Sequence, residues 1–120
     1  MRGFVLAAVC AAASPAWAAG DAQRGPQAYE ARCGGCHSVD TDRVGPRHAG
    51  VLGRRAGSVR GFTYSDALRK SGLTWDAALL ERWLANPEAL VPGQRMGYQL
   101  ADAQARADIV AYLTTLQSSR

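Results

Sequence analysis

The sequence is poor in the side chains that several protein classes require. Its 120 residues include only three cysteines, two histidines and two methionines, and aromatics make up 8%. Lys70 is the single lysine among 14 basic residues. No β-branched alternating run precedes Cys33, which argues against a thioredoxin-like strand–helix redox motif. No apolar stretch reaches the roughly 20 residues of a bilayer span. No internal repeat or low-complexity tract interrupts residues 19–120. The formal charge of +4 is carried almost wholly by arginine. Arg43, Arg47, Arg54, Arg55, Arg60 and Arg69 have no aromatic interleaving, so they read as a solvated surface and not as a nucleic-acid module.

What the chain does have is Cys33-Gly34-Gly35-Cys36-His37. Two thiols two residues apart, followed at once by an imidazole, can form thioethers to both vinyl groups of one haem while the histidine ligates its iron. The two glycines would let the backbone approach the porphyrin edge. A zinc site needs about four ligands, and beyond this cluster the chain offers only His48. A disulfide between Cys33 and Cys36 remains the alternative in a chain that has not acquired haem.

Met1–Ala18 has the pattern of a secretory signal: Arg2 at the start, an apolar core from Phe4 to Ala13, and Ala16-Trp17-Ala18 as the small-residue cleavage pattern. Cleavage is expected after Ala18, or one residue later. This divides the chain into a signal over 1–18 and one domain over 19–120, and places the mature protein in the periplasm. Cys10 would leave with the signal.

Asp21 is the expected N-cap of a first helix through Tyr29, with Pro26 moving its regular part toward Gly25. From Ser38 to Phe62, glycines and Pro46 predict a long loop wrapped on a support. Ser65 caps a short helix, Asp66 to Ser71, ended by Gly72. Thr74 caps a second, Trp75 to Ala85, whose Leu79, Leu80, Trp83 and Leu84 share a face before Asn86-Pro87 breaks it. Val91 to Met96 is loop, and Met96 is the only methionine besides Met1. In a haem protein a thioether on such a Pro-Gly loop is the natural sixth iron ligand. Asp102 caps a last helix to about Gln117, with Ile109, Leu113 and Leu116 at helical spacing.

In order, these residues closely resemble a class I cytochrome c of the mitochondrial and bacterial periplasmic type. The resemblance covers Gly25 and Tyr29, the haem pentad, Gly45-Pro46, Gly53-Arg54, Gly61 to Ala67, Gly72-Leu73-Thr74-Trp75, Asn86-Pro87, Pro92-Gly93 with Met96, and Ala111-Tyr112-Leu113. It implies an all-α cytochrome c fold: three main helices, with short helices and loops wrapped around one covalent haem c. It further implies covalent attachment at Cys33 and Cys36, His37 and Met96 as axial iron ligands, and the Pro46 carbonyl holding the other His37 ring proton. Arg54, Tyr64 and Trp75 match positions that bind or neutralise a haem propionate. The first and last helices should cross at Gly25, Tyr29, Ile109 and Tyr112.

The chain also departs from that pattern. Trp83 stands where the family commonly has a tyrosine reaching the methionine sulfur, Leu68 replaces an asparagine and Gln94 a threonine. His48 takes a site usually held by leucine near the proximal pocket; it reads first as a satisfied core or surface histidine, and is the one candidate for an alternative iron ligand if the Met96 bond opens.

The implied function is a soluble, monomeric periplasmic one-electron carrier and not an enzyme. It would dock transiently at the haem edge, near Cys36, Arg95 and Tyr98. Donors would be a membrane quinol-oxidising complex or periplasmic dehydrogenase; acceptors a terminal oxidase, peroxidase or photosynthetic centre. The arginine field could serve docking to an acidic partner. Alternatives are a permanent electron-transfer subunit of a dehydrogenase, or a haem sensor or peroxidase acting by Met96 dissociation.

About 100 residues with so few large apolar side chains make a weak core, which a haem would complete. The Cys33→Ala/Cys36→Ala chain is therefore expected to be largely unfolded; cooperatively melting, native-like helix in far-ultraviolet circular dichroism would refute this.

Overall fold

The computed structural model describes residues 19–117; the expected signal, Met1–Ala18, lies outside them. Five helices follow in order: α1 Gly25–Arg32, α2 Asp66–Arg69, α3 Ala77–Ala85, α4 Pro87–Leu90 and α5 Ala103–Leu113. Helix α1 packs on α5, α5 on α3, and α3 on α4. The long stretches between them carry one isolated antiparallel bridge, Arg55 to Thr74, among the described residues. The architecture is all-α. No helix among the described residues is long and apolar enough to cross a membrane.

Local chemistry explains where each helix starts, and corrects several of the expected boundaries. Pro26 lies in the first turn of α1, where its missing N–H costs nothing. Asp21 is not the N-cap. It forms the turn before the helix, its carbonyl accepting from Gly25 N–H at 2.9 Å and its carboxylate from Gln23 N–H at 2.7 Å. Ser65 does cap α2, accepting from Leu68 N–H at 3.1 Å, but the helix ends at Arg69.

Helix α3 is capped by Asp76 and not by Thr74, because Thr74 is engaged in the bridge to Arg55. The break at Asn86-Pro87 also starts a new helix. The Asn86 side chain accepts from Ala89 N–H at 3.1 Å and Pro87 takes a first-turn position, so α4 forms without delay. Helix α5 is capped by Asp102 and ends at Leu113, four residues before Gln117. There the Thr114 and Thr115 hydroxyls donate to the carbonyls of Ala111 and Tyr112 at 2.7 and 2.6 Å, turning the chain out of the helix.

The protein core is small and is built from Tyr29, Trp75, Leu80, Leu84, Ile109 and Leu113 with a few smaller groups. The α1–α5 crossing anchors it. A Cβ at Gly25 would overlap Tyr112 Cβ and stand 2.5 Å from the Asp108 carbonyl oxygen, so only glycine allows this approach. Tyr29 and Tyr112 meet edge to face at 5.5 Å, and Ile109 is fully buried. The expected crossing residues are thus in contact.

A buried carboxylate, unforeseen in the sequence, locks the same crossing. Asp108, only 5% exposed, accepts from Arg24 Nε and Nη2, both at 2.9 Å, from Asp21 N–H at 2.8 Å and from Gln104 Nε2 at 3.0 Å. These four donors, led by the Arg24 guanidinium, hold its pKa down at about 2. An unfolded aspartate titrates near ~3.9. The unfolded chain therefore takes up this proton first as pH falls, and the stability that Asp108 contributes above pH ~4 is lost on the way down to about 2. Asp108→Asn is expected to lower the urea midpoint at pH 7 and to flatten its decline between pH 4 and 2; an unchanged acid limb would disprove the role.

Candidate functional site

The turn carrying the two thiols and the imidazole grows directly from the end of α1. Tyr29 C=O accepts from Cys33 N–H at 2.7 Å and from Gly34 N–H at 3.1 Å, so the last helical turn widens to a π-type bond. Cys33 C=O then accepts from Cys36 N–H at 3.1 Å and from His37 N–H at 2.9 Å. Gly34 is required by its own helix: a Cβ would stand 2.6 Å from the Glu30 carbonyl. A Cβ at Gly35 would meet nothing within 4 Å, so the fold itself does not demand glycine there.

Arg43 closes this turn from outside. Its guanidinium donates to Gly34 O at 2.6 Å, Gly35 O at 3.2 Å and His37 O at 3.2 Å. Sequence reading treated Arg43 as solvated surface, because nothing in local spacing shows that residue 43 folds back over residues 34–37. The turn is tied again by Gly45 N–H donating to Cys36 O at 2.9 Å.

The His37 ring is held by its Nδ1, which donates to Pro46 O at 2.9 Å. A carbonyl can only accept, so the proton is on Nδ1 and the Nε2 lone pair is free for a metal. A Cβ at Gly45 would overlap this ring, being 2.5 Å from Nε2, which is why glycine precedes Pro46. Burial lowers the pKa of His37, keeping it in the neutral form that ligation needs. Cys33 and Cys36 are free thiols, and burial raises Cys33 to about 11. That is opposite to the activated thiolate of a thiol–disulfide catalyst. No three His, Cys, Asp or Glu side chains gather as a metal cluster among the described residues, so a zinc site lacks its donors.

His48 stacks on His37, with ring centroids 4.2 Å apart and planes 21° from parallel. The Tyr29 hydroxyl hydrogen-bonds its Nδ1 at 2.9 Å. Burial, then His37 and Arg54, push its pKa down to about 3, so this ring is neutral. Service as an alternative iron ligand would require breaking both contacts.

Trp75 is paired with Arg54 through the backbone, and the Arg54 and Tyr64 side chains lie near enough to act on each other's charge. Backbone bonds from Trp75 N–H to Arg54 O, 2.9 Å, and from Gly53 N–H to Trp75 O, 2.7 Å, set Arg54 beside Trp75. The Arg54 guanidinium donates to Arg47 O at 2.9 Å and Ala49 O at 3.3 Å. Its half-buried charge has carbonyl partners and no carboxylate ion pair among the described residues. The Tyr64 hydroxyl accepts from Val59 N–H at 3.1 Å, leaving its own proton to donate. Arg47, Arg54, Ser58 and Arg60 line a cavity of ≈ 450 Å³. Arg47 is ion-paired to Asp42 at 2.9 Å, which leaves Arg54 and Arg60 as the lining cations without a carboxylate partner among the described residues.

Met96 lies half-buried on the loop after α4. Gln94 Oε1 accepts from Met96 N–H at 2.6 Å and from Gly97 N–H at 3.3 Å, while Gln94 Nε2 donates to Glu88 Oε2 at 3.1 Å. Gln94 therefore braces the loop backbone. Trp83 meets Trp75 edge to face at 5.4 Å, and Leu68 packs on the core, so neither supplies a hydroxyl or amide there. Cys36, Arg95 and Tyr98 are all exposed.

The cytochrome c family model matches residues 22–117. The chain belongs to the cytochrome c family. It is 44% identical to cytochrome c2 of Rhodomicrobium vannielii over 96% of this chain and 97% of that one. It is also 44% identical to cytochrome c2 iso-2 of Magnetospirillum fulvum over 72% of this chain and 90% of the relative. Among solved structures it is similar to cytochrome cH from Methylobacterium extorquens, at 46% identity and a TM-score of 0.75, over 80% of this chain and 99% of that one. As a cytochrome c it carries one covalently attached c-type haem and acts as an electron carrier, not an enzyme. The paired free thiols and the bare His37 Nε2 fit that group, while the cavity beside Arg54 is lined by none of Cys33, Cys36, His37 and Met96.

Removing the brace around the attachment turn should loosen it without unmaking the helices. Arg43→Ala is expected to speed amide hydrogen exchange at Cys36, His37 and Gly45 in the haem-loaded protein, leaving exchange in α5 unchanged; equal protection at the turn would show that Arg43 holds nothing there.

Proposed function

We propose that this cytochrome c is a soluble periplasmic shuttle whose haem would be held by thioethers to Cys33 and Cys36, with His37 Nε2 and the Met96 thioether as the residues that would ligate its iron. The observation that carries the reading is the hydrogen bond from His37 Nδ1 to Pro46 O, 2.9 Å, which presents an unprotonated Nε2 beside the two thiols. When bound, the haem supplies a single Fe(III)/Fe(II) couple, and thioether ligation favours its ferrous form.

Every other part is the protein's. Pro46 fixes the tautomer of the imidazole, and a fixed ligand keeps its geometry through a change of oxidation state. Gln94 and Glu88 hold the Met96 loop from behind, so the thioether is presented by a braced backbone. Arg54 and Tyr64 neutralise and hydrogen-bond a propionate, with Trp75 beside them. Trp83 and Leu68 keep the methionine side apolar, which disfavours water and small polar ligands near the sulfur.

Electrons would enter and leave where Cys36, Arg95 and Tyr98 are exposed. The donors and acceptors that suit this face are membrane quinol-oxidising complexes, periplasmic dehydrogenases, terminal oxidases and peroxidases, docking transiently. The Met1–Ala18 signal pattern supports export, with residues 19–120 as the mature domain.

The visible spectrum of the oxidised holoprotein tests the ligand set. A weak sulfur-to-iron charge-transfer band at the red end is expected, abolished in Met96→Ala; a spectrum without that band at neutral pH, or one that survives the substitution, would exclude Met96 as the ligand.

A further inference from the structure

A single hydrogen bond at the edge of an imidazole restrains the ring incompletely. The bond from His37 Nδ1 to Pro46 O directs one edge, yet the ring can still tilt about that donor–acceptor line. Control of the tilt needs a contact on the ring face. His48 supplies one, as a second planar ring 4.2 Å from the first and 21° from parallel to it.

His48 is itself held on several sides. Its backbone N–H donates to Ser38 O at 3.2 Å, which fixes where the side chain starts. The Tyr29 hydroxyl hydrogen-bonds its Nδ1 at 2.9 Å, which fixes how the ring is turned. Tyr29 also meets it edge to face, at 5.6 Å and 74°. Tyr29 is 4% exposed and is locked in turn against Tyr112 across the α1–α5 crossing. A continuous path of packed rings thus runs from α5 through Tyr112, Tyr29 and His48 to His37. An aliphatic side chain at position 48 could fill the same space, but it would offer neither a plane to stack nor an acceptor or donor for Tyr29.

We propose that His48, anchored by the Tyr29 hydroxyl, is a positioning residue that sets the plane of the His37 imidazole and thereby tunes the electronic state of the iron it ligates. The inference rests on the reading of His37 as proximal ligand. The orientation of an imidazole plane decides which iron d orbitals its π system meets, so a rotated ring changes the magnetic axes of the ferric ion and shifts its reduction potential. His48 touches neither haem nor iron in this scheme and acts only through His37.

The experiment uses the haem-loaded protein and four forms: wild type, His48→Leu, His48→Phe and Tyr29→Phe. The readouts are the ferric electron paramagnetic resonance g-values, the spread of the haem methyl proton shifts, and the reduction potential. The sulfur-to-iron band and the hyperfine-shifted His37 ring protons of the wild type report ligation itself, so failure of the ligand assignment is seen separately from failure of the clamp. His48→Leu is expected to move the largest g-value and redistribute the methyl shifts while retaining the band. Tyr29→Phe should move them the same way by less, and His48→Phe, which keeps a stacking plane, should lie closer to wild type than His48→Leu. Unchanged g-values and methyl shifts in both His48→Leu and Tyr29→Phe would overturn the proposal. Loss of the sulfur band in His48→Leu would also overturn it, because the effect would then run through Met96. Should His48→Leu fail to acquire haem, Tyr29→Phe, which lacks one oxygen atom, decides alone: altered g-values support the clamp and wild-type values reject it.

Discussion

The hydrogen bond between His37 Nδ1 and the Pro46 carbonyl is the constraint on which the site depends. It joins the attachment turn to the loop that follows, and it decides which ring nitrogen is free. Both ends are prepared by neighbours. Gly45 leaves room for the ring, since any side chain there would overlap it, and Arg43 binds three carbonyls of the turn from outside. The imidazole is thus presented in one tautomer and one place before any haem chemistry is considered. A carrier benefits from that arrangement, because groups that do not move when an electron arrives add little to the reorganisation barrier.

The protein divides its polar groups sharply between two tasks. On the side of Arg54, three arginines line one cavity, and one of them, Arg47, is paired to Asp42. Around Met96 the polar atoms are turned toward the backbone: Gln94 braces the loop, Trp83 packs on Trp75, and Leu68 joins the core. Relatives that place a tyrosine, an asparagine and a threonine at those positions would have a wetter methionine side.

Much of this was legible in order along the chain. The haem pentad and the capping residues Ser65 and Asp102 are short-range patterns, while the α1–α5 contact at Gly25, Tyr29, Ile109 and Tyr112 followed from the resemblance to class I cytochromes c. Helix ends were read less well wherever a side chain had a competing partner. Thr74 lost its capping role because its backbone pairs with Arg55, and α5 stops early because Thr114 and Thr115 bond to its last carbonyls. Both glycines of the pentad read in the sequence as room for the porphyrin edge; the first has a further reason in the preceding turn, where a Cβ would meet Glu30.

Sequence alone determined the cofactor class and the order of every helix but α4, since thioether chemistry and helix capping depend on residues only a few positions apart. Tertiary structure decided what distant residues do for one another. Asp108 and Arg24 carry no local signal, Arg43 looks like any surface cation, and His48 could have been core, surface or ligand. Each acquires its role from a partner brought near by folding, because hydrogen bonds and ring stacks act over a few ångströms, and only the packed chain places residues 29, 37, 48 and 112 within that reach.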